Sequence, residues 1–384
     1  MIPTEILRRL GRKAKRYLRP SGPLGSSEAT SAGHGAPAPM QRPAAFDAYT
    51  SPGALTDLGV LFMPLAGYHG KELGAIADAL VSLGHRCTFL VEEEFVVAVA
   101  PYLGDHPRIL ASPGYDRFAL GTFDAFVAMN DWGDPSRAIY HLARVRGVPS
   151  FAKVEGVQDF TDVDTGRIRL AYLAADHVLV QGNNDIVALD RKNVHIVGNA
   201  NMEAAWNEGP STAARNGEVV INSNFTYGVL LDERDRFVAE AIQAVLDVGL
   251  TPVISQHPAD RPLPAELASY LTSQSMSSML PTCEAVVTRF STVPFEAIAY
   301  GTPFVYFNPH YEKVRTFADP DPTFEHVHTS ETLASALRSA IETRENYRSR
   351  AESYFRAQID MTDTPSAERA AEAIASVVYE NPPA

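Results

Sequence analysis

The stretch VVTRFSTVPFEAIAYGTPFV (residues 286–305) decides the fold of this chain. An apolar run, Ala285–Thr288, is followed by a short polar turn, a helical pattern that ends at Gly301, and a second apolar run, Phe304–Phe307. Short apolar runs separated by a helix predict parallel strands of a buried sheet joined by a crossover helix. Ligands of such sheets bind at the carboxyl ends of the strands, so the polar turn predicts a ligand site.

Four side chains of this turn and of the helix after it make up the predicted donor-binding set. Ser291 and Thr292 lie where the chain enters the helix, so their hydroxyls and the free backbone N–H groups would face an anion. Glu296 lies about one turn further on, where a carboxylate can accept both hydroxyls of a ribose. Arg289 belongs to the same turn. Helix capping by the two hydroxyls, and a surface carboxylate that complements the helix dipole, are the purely structural alternatives.

A second polar element, Gln256-His257-Pro258, ends the predicted strand Thr251–Ser255. His257 is therefore expected at the same edge of the sheet as Ser291. An imidazole there can donate a hydrogen bond to a phosphate oxygen and stabilise a leaving group, which makes His257 both a donor-binding and a catalytic candidate. A single histidine before a proline is more often a simple loop residue, so the argument depends on the two elements occurring together.

The remaining sequence predicts two α/β halves. From Leu58 onward, strand patterns alternate with helical ones, and the alternation restarts after the polar break at 207–217. The expected fold is α/β, with two Rossmann-like domains that face a cleft. We predict an acceptor domain at 57–206, a nucleotide-donor domain at 207–360, and a C-terminal helix at 361–384.

The first 56 residues have a different composition. Residues 1–20 hold seven basic side chains and one acidic one, and their apolar residues recur at helical spacing. This pattern predicts a basic amphipathic helix that binds an anionic membrane surface, although a solvated terminus would have the same composition. Residues 21–56 are rich in Pro, Gly, Ala and Ser, which is typical of a disordered linker.

Charge and composition narrow the function classes. The net charge of the 384-residue chain is -13, despite its basic start, which argues against nucleic acid as a partner. No apolar run is long enough to span a membrane, and two cysteines are too few for a disulfide framework. We therefore expect a cytoplasmic protein, peripheral on the inner face of the plasma membrane.

The two polar elements resemble known motifs. The His-Pro pair and Ser291–Thr292 are similar to motifs of bacterial capsule glycosyltransferases that use CMP-sugars, such as polysialyltransferases, and of CDP-glycerol glycerophosphotransferases. Phe295-Glu296-Ala297, followed by Gly301-Thr302-Pro303, resembles the donor segment of GT-B glycosyltransferases. The resemblance implies that His257, Ser291 and Thr292 hold the donor phosphate and that Glu296 holds the ribose. It also implies a CMP-, CDP- or UDP-linked sugar as substrate, and neither a cofactor nor a metal.

The same resemblance suggests where the catalytic base lies. In the glycerophosphotransferases a His-Gly pair after a strand provides the base, and at the similar place this chain has Glu155-Gly156. A carboxylate at a strand end can deprotonate a sugar hydroxyl, so Glu155 is one candidate. His69, in a predicted loop after the first strand, is the rival base, and Asp159 is a third candidate.

Together these observations predict a metal-independent GT-B glycosyltransferase. It would transfer a sugar from a nucleotide-activated donor to a cell-surface polysaccharide or a lipid-linked glycan. Three alternatives stay open: a CDP-glycerol- or CDP-ribitol-dependent polyol-phosphate transferase, an enzyme like UDP-GlcNAc 2-epimerase, and a non-catalytic scaffold of polysaccharide assembly. Two spaced aspartate pairs, 162/164 and 319/321, are interpreted as ordinary loop residues rather than as a metal site.

Overall fold

The structure is a computed structural model. It describes residues 57–111, 122–131, 134–156, 172–189, 191–210, 214–225, 230–257, 260–318 and 323–380. All of them lie in one compact unit, Pro52–Ala384. The predicted amphipathic helix and linker, Asp159 and both aspartate pairs lie outside the described residues.

The first half of this unit contains a seven-stranded parallel sheet with the order β3-β2-β1-β4-β5-β6-β7. Its strands are β1 Gly59–Met63, β2 Arg86–Glu92, β3 Arg108–Ala111, β4 Ala125–Ala128, β5 Ser150–Lys153, β6 His177–Val180 and β7 Val194–Ile196. Strand β1 pairs with β2 on one side and with β4 on the other, so the strand order reverses at β1. A reversal of this kind opens a crevice at the carboxyl ends of the strands.

The second half contains a five-stranded parallel sheet with the order β12-β11-β10-β8-β9. Its strands are β8 Glu218–Ser223, β9 Thr251–Gln256, β10 Ala285–Thr288, β11 Phe304–Phe307 and β12 Glu325–Val327. Two parallel sheets with helices confirm the predicted α/β fold.

Helices connect and cover both sheets. They are α1 Gly67–Ser82, α2 Val96–Val99, α3 Asp134–Arg146, α4 Asn183–Leu189, α5 Ala200–Glu208, α6 Arg234–Asp247, α7 Ala265–Ala268, α8 Met276–Met279, α9 Val293–Ala299, α10 Arg315–Ala318, α11 Ser330–Glu342, α12 Tyr347–Gln358 and α13 Ser366–Glu380.

The boundary between the two cores is not a single point of the chain. Helix α5 carries Met202 and Trp206 into the core of the second half, so the chain enters that core before residue 207. Helix α13 does the reverse, because its buried Ile374 and Val378 belong to the core of the first half. The two halves are thus joined both at α5 and at the connection from α12 to α13.

Helix α1 begins at Gly67, within the stretch that the sequence analysis interprets as a loop after the first strand. His69 therefore lies in the first turn of a helix and not in a loop, which corrects our expectation. Three glycines on this helix make the early start possible, since they let the segment 98–102 approach the helix backbone closely. Gly, Tyr and His in succession are typical of a loop, and these residues alone do not reveal that the segment 98–102 packs on them.

None of the helices in the described ranges combines the length and the apolar character that crossing a membrane requires.

Candidate functional site

Glu155 is the centre of a hydrogen-bonded cluster at the carboxyl edge of the first sheet. It lies two residues after β5, and its side chain is 14 % exposed. Oε1 accepts hydrogen bonds from the Tyr68 hydroxyl and from His69 Nε2, the latter at 3.2 Å. Oε2 accepts a hydrogen bond of 2.8 Å from Asn130 Nδ2. The donors come from α1 and from the end of β4, so three segments converge on one carboxylate.

The hydrogen bonds of His69 define its role. The backbone N–H of Leu65 donates to His69 Nδ1 at 3.1 Å, which assigns the lone pair to Nδ1 and the proton of the neutral ring to Nε2. That proton points at Glu155. Because both ring nitrogens are engaged and the ring is 3 % exposed, His69 orients the carboxylate and has no nitrogen available as a base.

The cluster determines the charge of Glu155. Burial raises the pKa of the Glu155 carboxyl, but the hydrogen bond from His69, together with those from Tyr68 and Asn130, outweighs it. The net pKa lies below its ordinary value, so Glu155 is ionised at neutral pH. An ionised, partly exposed carboxylate at a strand end can accept a proton from a bound hydroxyl.

A buried ion pair supports this cluster from below. Lys153 is the last residue of β5, and its Nζ lies 3.4 Å from Glu72 Oε1. Both side chains are at most 2 % exposed. Glu72 belongs to α1, so the pair ties the helix that carries Tyr68 and His69 to the strand that carries Glu155. The Ala200 N–H donates to the same Glu72 oxygen at 3.3 Å and connects α5 to the pair.

In the second half, the turn at 289–292 that precedes α9 lies against the segment that follows Glu155. A Cβ placed on Gly156 would collide with Thr292 Oγ1, so the residue after Glu155 touches the start of α9. Ser291 Oγ accepts a hydrogen bond of 3.2 Å from the Val293 N–H, which leaves its own O–H available as a donor. The structure therefore places the segment after Glu155 against the turn that carries Ser291 and Thr292.

His257 lies at the same edge, one residue after β9, and is half-buried. Burial lowers the pKa of His257, and the charges of Asp260 and Glu155 oppose this effect only in part. The imidazole is therefore neutral at neutral pH and can donate one hydrogen bond. The influence of Glu155 on His257 is an electrostatic link between the two halves.

Glu296 lies on α9 and is half-buried. Burial raises the pKa of its carboxyl to about 7, while Lys71 on α1 opposes the shift. No hydrogen bond from another described residue contributes to its pKa. When ionised, the Glu296 carboxylate is thus free to accept hydrogen bonds from a ligand.

Arg289 has a different position from the one that its place in the turn suggested. It is 2 % exposed, and its Nε donates to Glu312 Oε2 at 2.8 Å. Its NH1 donates to the Asn224 carbonyl at 2.6 Å, and the guanidinium lies 4.5 Å from the centre of the Phe225 ring. This buried ion pair holds the turn in place, and the guanidinium donates to Glu312 and Asn224 within the protein.

Sequence reasoning missed Tyr68, Asn130 and Lys71. Asn130 carried a usable signal, because it directly follows an apolar run that ends at a strand terminus. Tyr68 and Lys71 had none, since their relation to Glu155 and Glu296 depends on how α1 packs.

Comparison with solved structures identifies the architecture. A putative UDP-N-acetylglucosamine 2-epimerase from Listeria monocytogenes superposes with a TM-score of 0.60 at 13% identity, covering 85% of this chain and 98% of that one. The calicheamicin glycosyltransferase CalG4 gives 0.51 at 16% identity, covering 85% and 100%. The chain has the GT-B fold. A Methanocaldococcus jannaschii UDP-GlcNAc 2-epimerase, solved with UDP-GlcNAc and UDP, gives 0.53 at 10% identity, covering 84% and 99%.

Comparisons of sequence give no closer assignment. No protein-family profile matches the chain, and no curated protein matches it. At these low identities the structural likeness establishes the fold alone, so the activity has to be argued from the site.

Proposed function

We propose that this chain is a glycosyltransferase that uses a nucleotide-activated sugar, with Glu155 as its catalytic base. The observation that carries the proposal is the contact between the Glu155–Gly156 segment of the first half and Thr292 of the second. It places the backbone that directly follows the ionised Glu155 against Thr292, one of the two hydroxyl residues that the sequence assigns to donor phosphate. Such a juxtaposition suits a reaction in which an acceptor hydroxyl attacks a donor bound beside it.

The proposed reaction is a displacement at the anomeric carbon of the donor sugar. Glu155 takes the proton of the acceptor hydroxyl while the acceptor oxygen bonds to that carbon. The bond from the carbon to the phosphate oxygen breaks, and its electron pair leaves with the nucleotide. Tyr68, His69 and Asn130 hold the carboxylate in position by their hydrogen bonds.

In the donor half, His257 and the hydroxyls of Ser291 and Thr292 would bind the departing phosphate. A neutral imidazole and two hydroxyls stabilise it by hydrogen bonds as its charge develops. The ionised Glu296 carboxylate would accept the two ribose hydroxyls. The identity of the donor nucleotide (CMP, CDP or UDP) and the independence of the reaction from metal remain predictions.

The acceptor and the location are also part of this proposal. The sequence predicts a cell-surface polysaccharide or a lipid-linked glycan as acceptor, and membrane binding through residues 1–20 on the cytoplasmic side. Sedimentation of the full chain with vesicles of neutral or anionic lipid tests the membrane binding. The comparison is a variant in which the seven basic residues of the segment 1–20 are replaced by Gln.

The epimerase is a second candidate, because solved UDP-GlcNAc 2-epimerases share the fold across nearly their whole length. Such an enzyme would use Glu155 on the donor sugar itself and would need no acceptor. An isomerised sugar nucleotide formed without acceptor would favour it. A phosphodiester product would favour the polyol-phosphate transferase, and the absence of any turnover would favour the scaffold.

The first experiment is a thermal-shift screen of the protein with CMP, CDP, UDP, GDP and dTDP, repeated on His257→Ala. A ligand at a hundred times its dissociation constant adds about 2.7 kcal/mol of stability. We expect one nucleotide to stabilise the wild type and to stabilise the variant less. Stabilisation by none of the five would contradict the donor site.

A further inference from the structure

Gln181 is a buried amide that lies where the two halves are joined. It directly follows β6, and none of its surface is exposed. Each of its four polar groups takes part in a hydrogen bond, and the four partners are Gly156, Asp185, Asn199 and Asp360. Breaking a hydrogen bond of a buried polar group is costly, so these contacts hold Gln181 in one conformation.

Two of these partners mark the connections between the halves. Asn199 Nδ2 donates to Gln181 Oε1 at 3.0 Å, and Asn199 is the residue that caps α5. The Asp360 N–H donates to the Gln181 carbonyl at 2.7 Å, where the chain leaves α12 on its way to α13. Gln181 therefore contacts both places at which the chain passes from one core to the other.

The Gln181 side chain also reaches the candidate site. Its Nε2 donates to the Gly156 carbonyl. Gly156 directly follows Glu155, and it is the residue that lies against Thr292. The hydrogen bond therefore holds the backbone from which the Glu155 carboxylate projects.

Asn199 determines the orientation of the Gln181 amide. Asn199 Oδ1 accepts hydrogen bonds of 3.0 Å from the N–H groups of Asn201 and Met202, in the first turn of α5. The other polar atom of this side chain is then the Nδ2 donor, and it faces Gln181 Oε1. The Nε2 group of Gln181 consequently faces Gly156.

We propose that Gln181 is a positioning residue, which sets the place of the Glu155–Gly156 segment relative to both connections between the halves. It acts through the Gly156 carbonyl. A displacement at either connection reaches the candidate base through this one side chain, so the arrangement of the halves and the place of the base are linked. The inference rests on the proposed function, because Glu155 is the proposed base.

Two variants remove the hydrogen bond to Gly156 by different routes. Gln181→Met keeps the length of the side chain and lacks both amide groups. Asn199→Asp leaves Gln181 unchanged and keeps an oxygen that caps α5, where a carboxylate is favourable. Its second oxygen can only accept, so the Gln181 amide turns over and places Oε1 against the Gly156 carbonyl. Both variants should therefore loosen the same segment.

Asn184→Ala is the matched control. Asn184 Nδ2 donates to Gln358 Oε1 at 3.0 Å, so this variant also removes a side-chain hydrogen bond between the first half and the end of α12. That hydrogen bond does not involve the segment 155–156. We expect the control to leave the site as it is in the wild type.

Hydrogen exchange measured by mass spectrometry tests the inference without any substrate. The Val154 N–H donates to the Leu179 carbonyl at 2.9 Å in the wild type, which protects it from exchange. We expect the peptide that spans 150–156 to exchange on the order of tenfold faster in Gln181→Met and in Asn199→Asp, and to be unchanged in the control. Unchanged exchange in both variants, or an equal increase in the control, would overturn the inference. If Gln181→Met does not fold, Asn199→Asp decides.

Turnover separates the inference from the proposed function. The substrate is the nucleotide sugar whose nucleotide stabilises the wild type. Both variants should lower kcat on the order of tenfold to a hundredfold and leave nucleotide affinity almost unchanged, since a small displacement of a reacting group slows the chemical step. Faster exchange in the variants, with no turnover by the wild type, would contradict only the proposed function. Normal kcat in both variants would overturn the positioning role.

The pH dependence of kcat gives a readout that a general loss of stability does not change. Looser hydrogen bonds to the Glu155 carboxylate stabilise its ionised form less, so its pKa should rise in Gln181→Met. The decline of kcat at low pH should then begin at a higher pH than in the wild type, and an unchanged profile would overturn the link to the base. The ionisable groups that interact with Glu155 are the same in this variant: Tyr68, His69, Tyr172 and His257.

Discussion

At the scale of single residues, Glu155 shows how a sequence position acquires a chemical role. Its hydrogen-bond donors come from Tyr68 and His69, far before it in the chain, and from Asn130. Each bond favours the ionised carboxylate, and together they outweigh the cost of burial. The result is a base that is charged and oriented before an acceptor arrives.

Replacing this carboxylate tests the proposed mechanism most directly. Glu155→Gln keeps the shape of the side chain but cannot accept a proton, so we expect kcat to fall about 10²- to 10⁴-fold. Donor binding, measured by thermal shift with the nucleotide, should change little. Glu94→Gln, an exposed carboxylate outside the cluster, is the control and should keep full turnover.

The pH dependence of the wild type follows from the same cluster. Because the pKa of Glu155 is lowered from its ordinary value of 4.5, kcat measured at saturating donor should decline only below about pH 4.5. A decline centred near pH 6 or 7 would instead assign the base to another group.

The pKa of Glu296 is shifted in the opposite direction from that of Glu155, and this gives a separate prediction for nucleotide binding. Its pKa is raised to about 7, so it is largely protonated at pH 6 and largely ionised at pH 8. If the carboxylate binds ribose hydroxyls, nucleotide affinity should increase as the pH rises through 7. Glu296→Gln should bind more weakly at pH 8 and lose this pH dependence, which titrations at both pH values would measure.

The sequence predicted Glu155, His257, Ser291, Thr292 and Glu296 because each follows or enters a recognisable element. For Arg289 the same reasoning could not show that its partner, Glu312, lies beyond the next strand and holds the guanidinium in the interior. A residue's place in a motif indicates which edge it occupies. Packing alone determines which residue accepts the hydrogen bonds that its side chain donates.

At the scale of elements, the central strands were predictable, whereas two of the edge strands were not. Strands such as β1 and β10 are buried along their whole length and therefore appear as apolar runs. The edge strands β3 and β12 lacked that signal, since Leu110 is 57% exposed and β12 has the sequence EHV. The start of α1 was missed because glycines, which are poor helix formers, serve a packing contact there.

That contact can be tested at Gly74. A Cβ there would collide with the Tyr102 carbonyl oxygen, a backbone atom that cannot move without shifting its segment. Although alanine is the better helix former, we expect Gly74→Ala to lower the free energy of unfolding by about 1–3 kcal/mol. Urea denaturation measures the change.

Gly59→Ala is the matched control, because its Cβ would meet neighbours at ordinary distances of 3.6–3.7 Å. Its stability should differ little from that of the wild type. If both variants are equally stable, α1 does not pack on the segment 98–102 as closely as the structure indicates.

At the scale of the whole molecule, the last helix returns to the first half after the chain has completed the second. The Asp360 N–H donates to the Gln181 carbonyl at 2.7 Å at this crossing, and α13 then packs on α1. The sequence predicted the helix itself but could not tell which core receives it, because an amphipathic pattern fits either sheet.

Ile374→Ala tests this long-range attachment. Ile374 is fully buried in the core of the first half, so its truncation should cost about 2–5 kcal/mol of unfolding free energy. Glu372→Ala, at an exposed position of the same helix, should cost far less. Because α1 carries Tyr68 and His69, loosening α13 should also reduce turnover before it reduces nucleotide binding. Thermal unfolding, turnover and nucleotide binding measured on both variants check this order, and an equal loss of turnover and nucleotide binding would mean that the two halves respond as one unit.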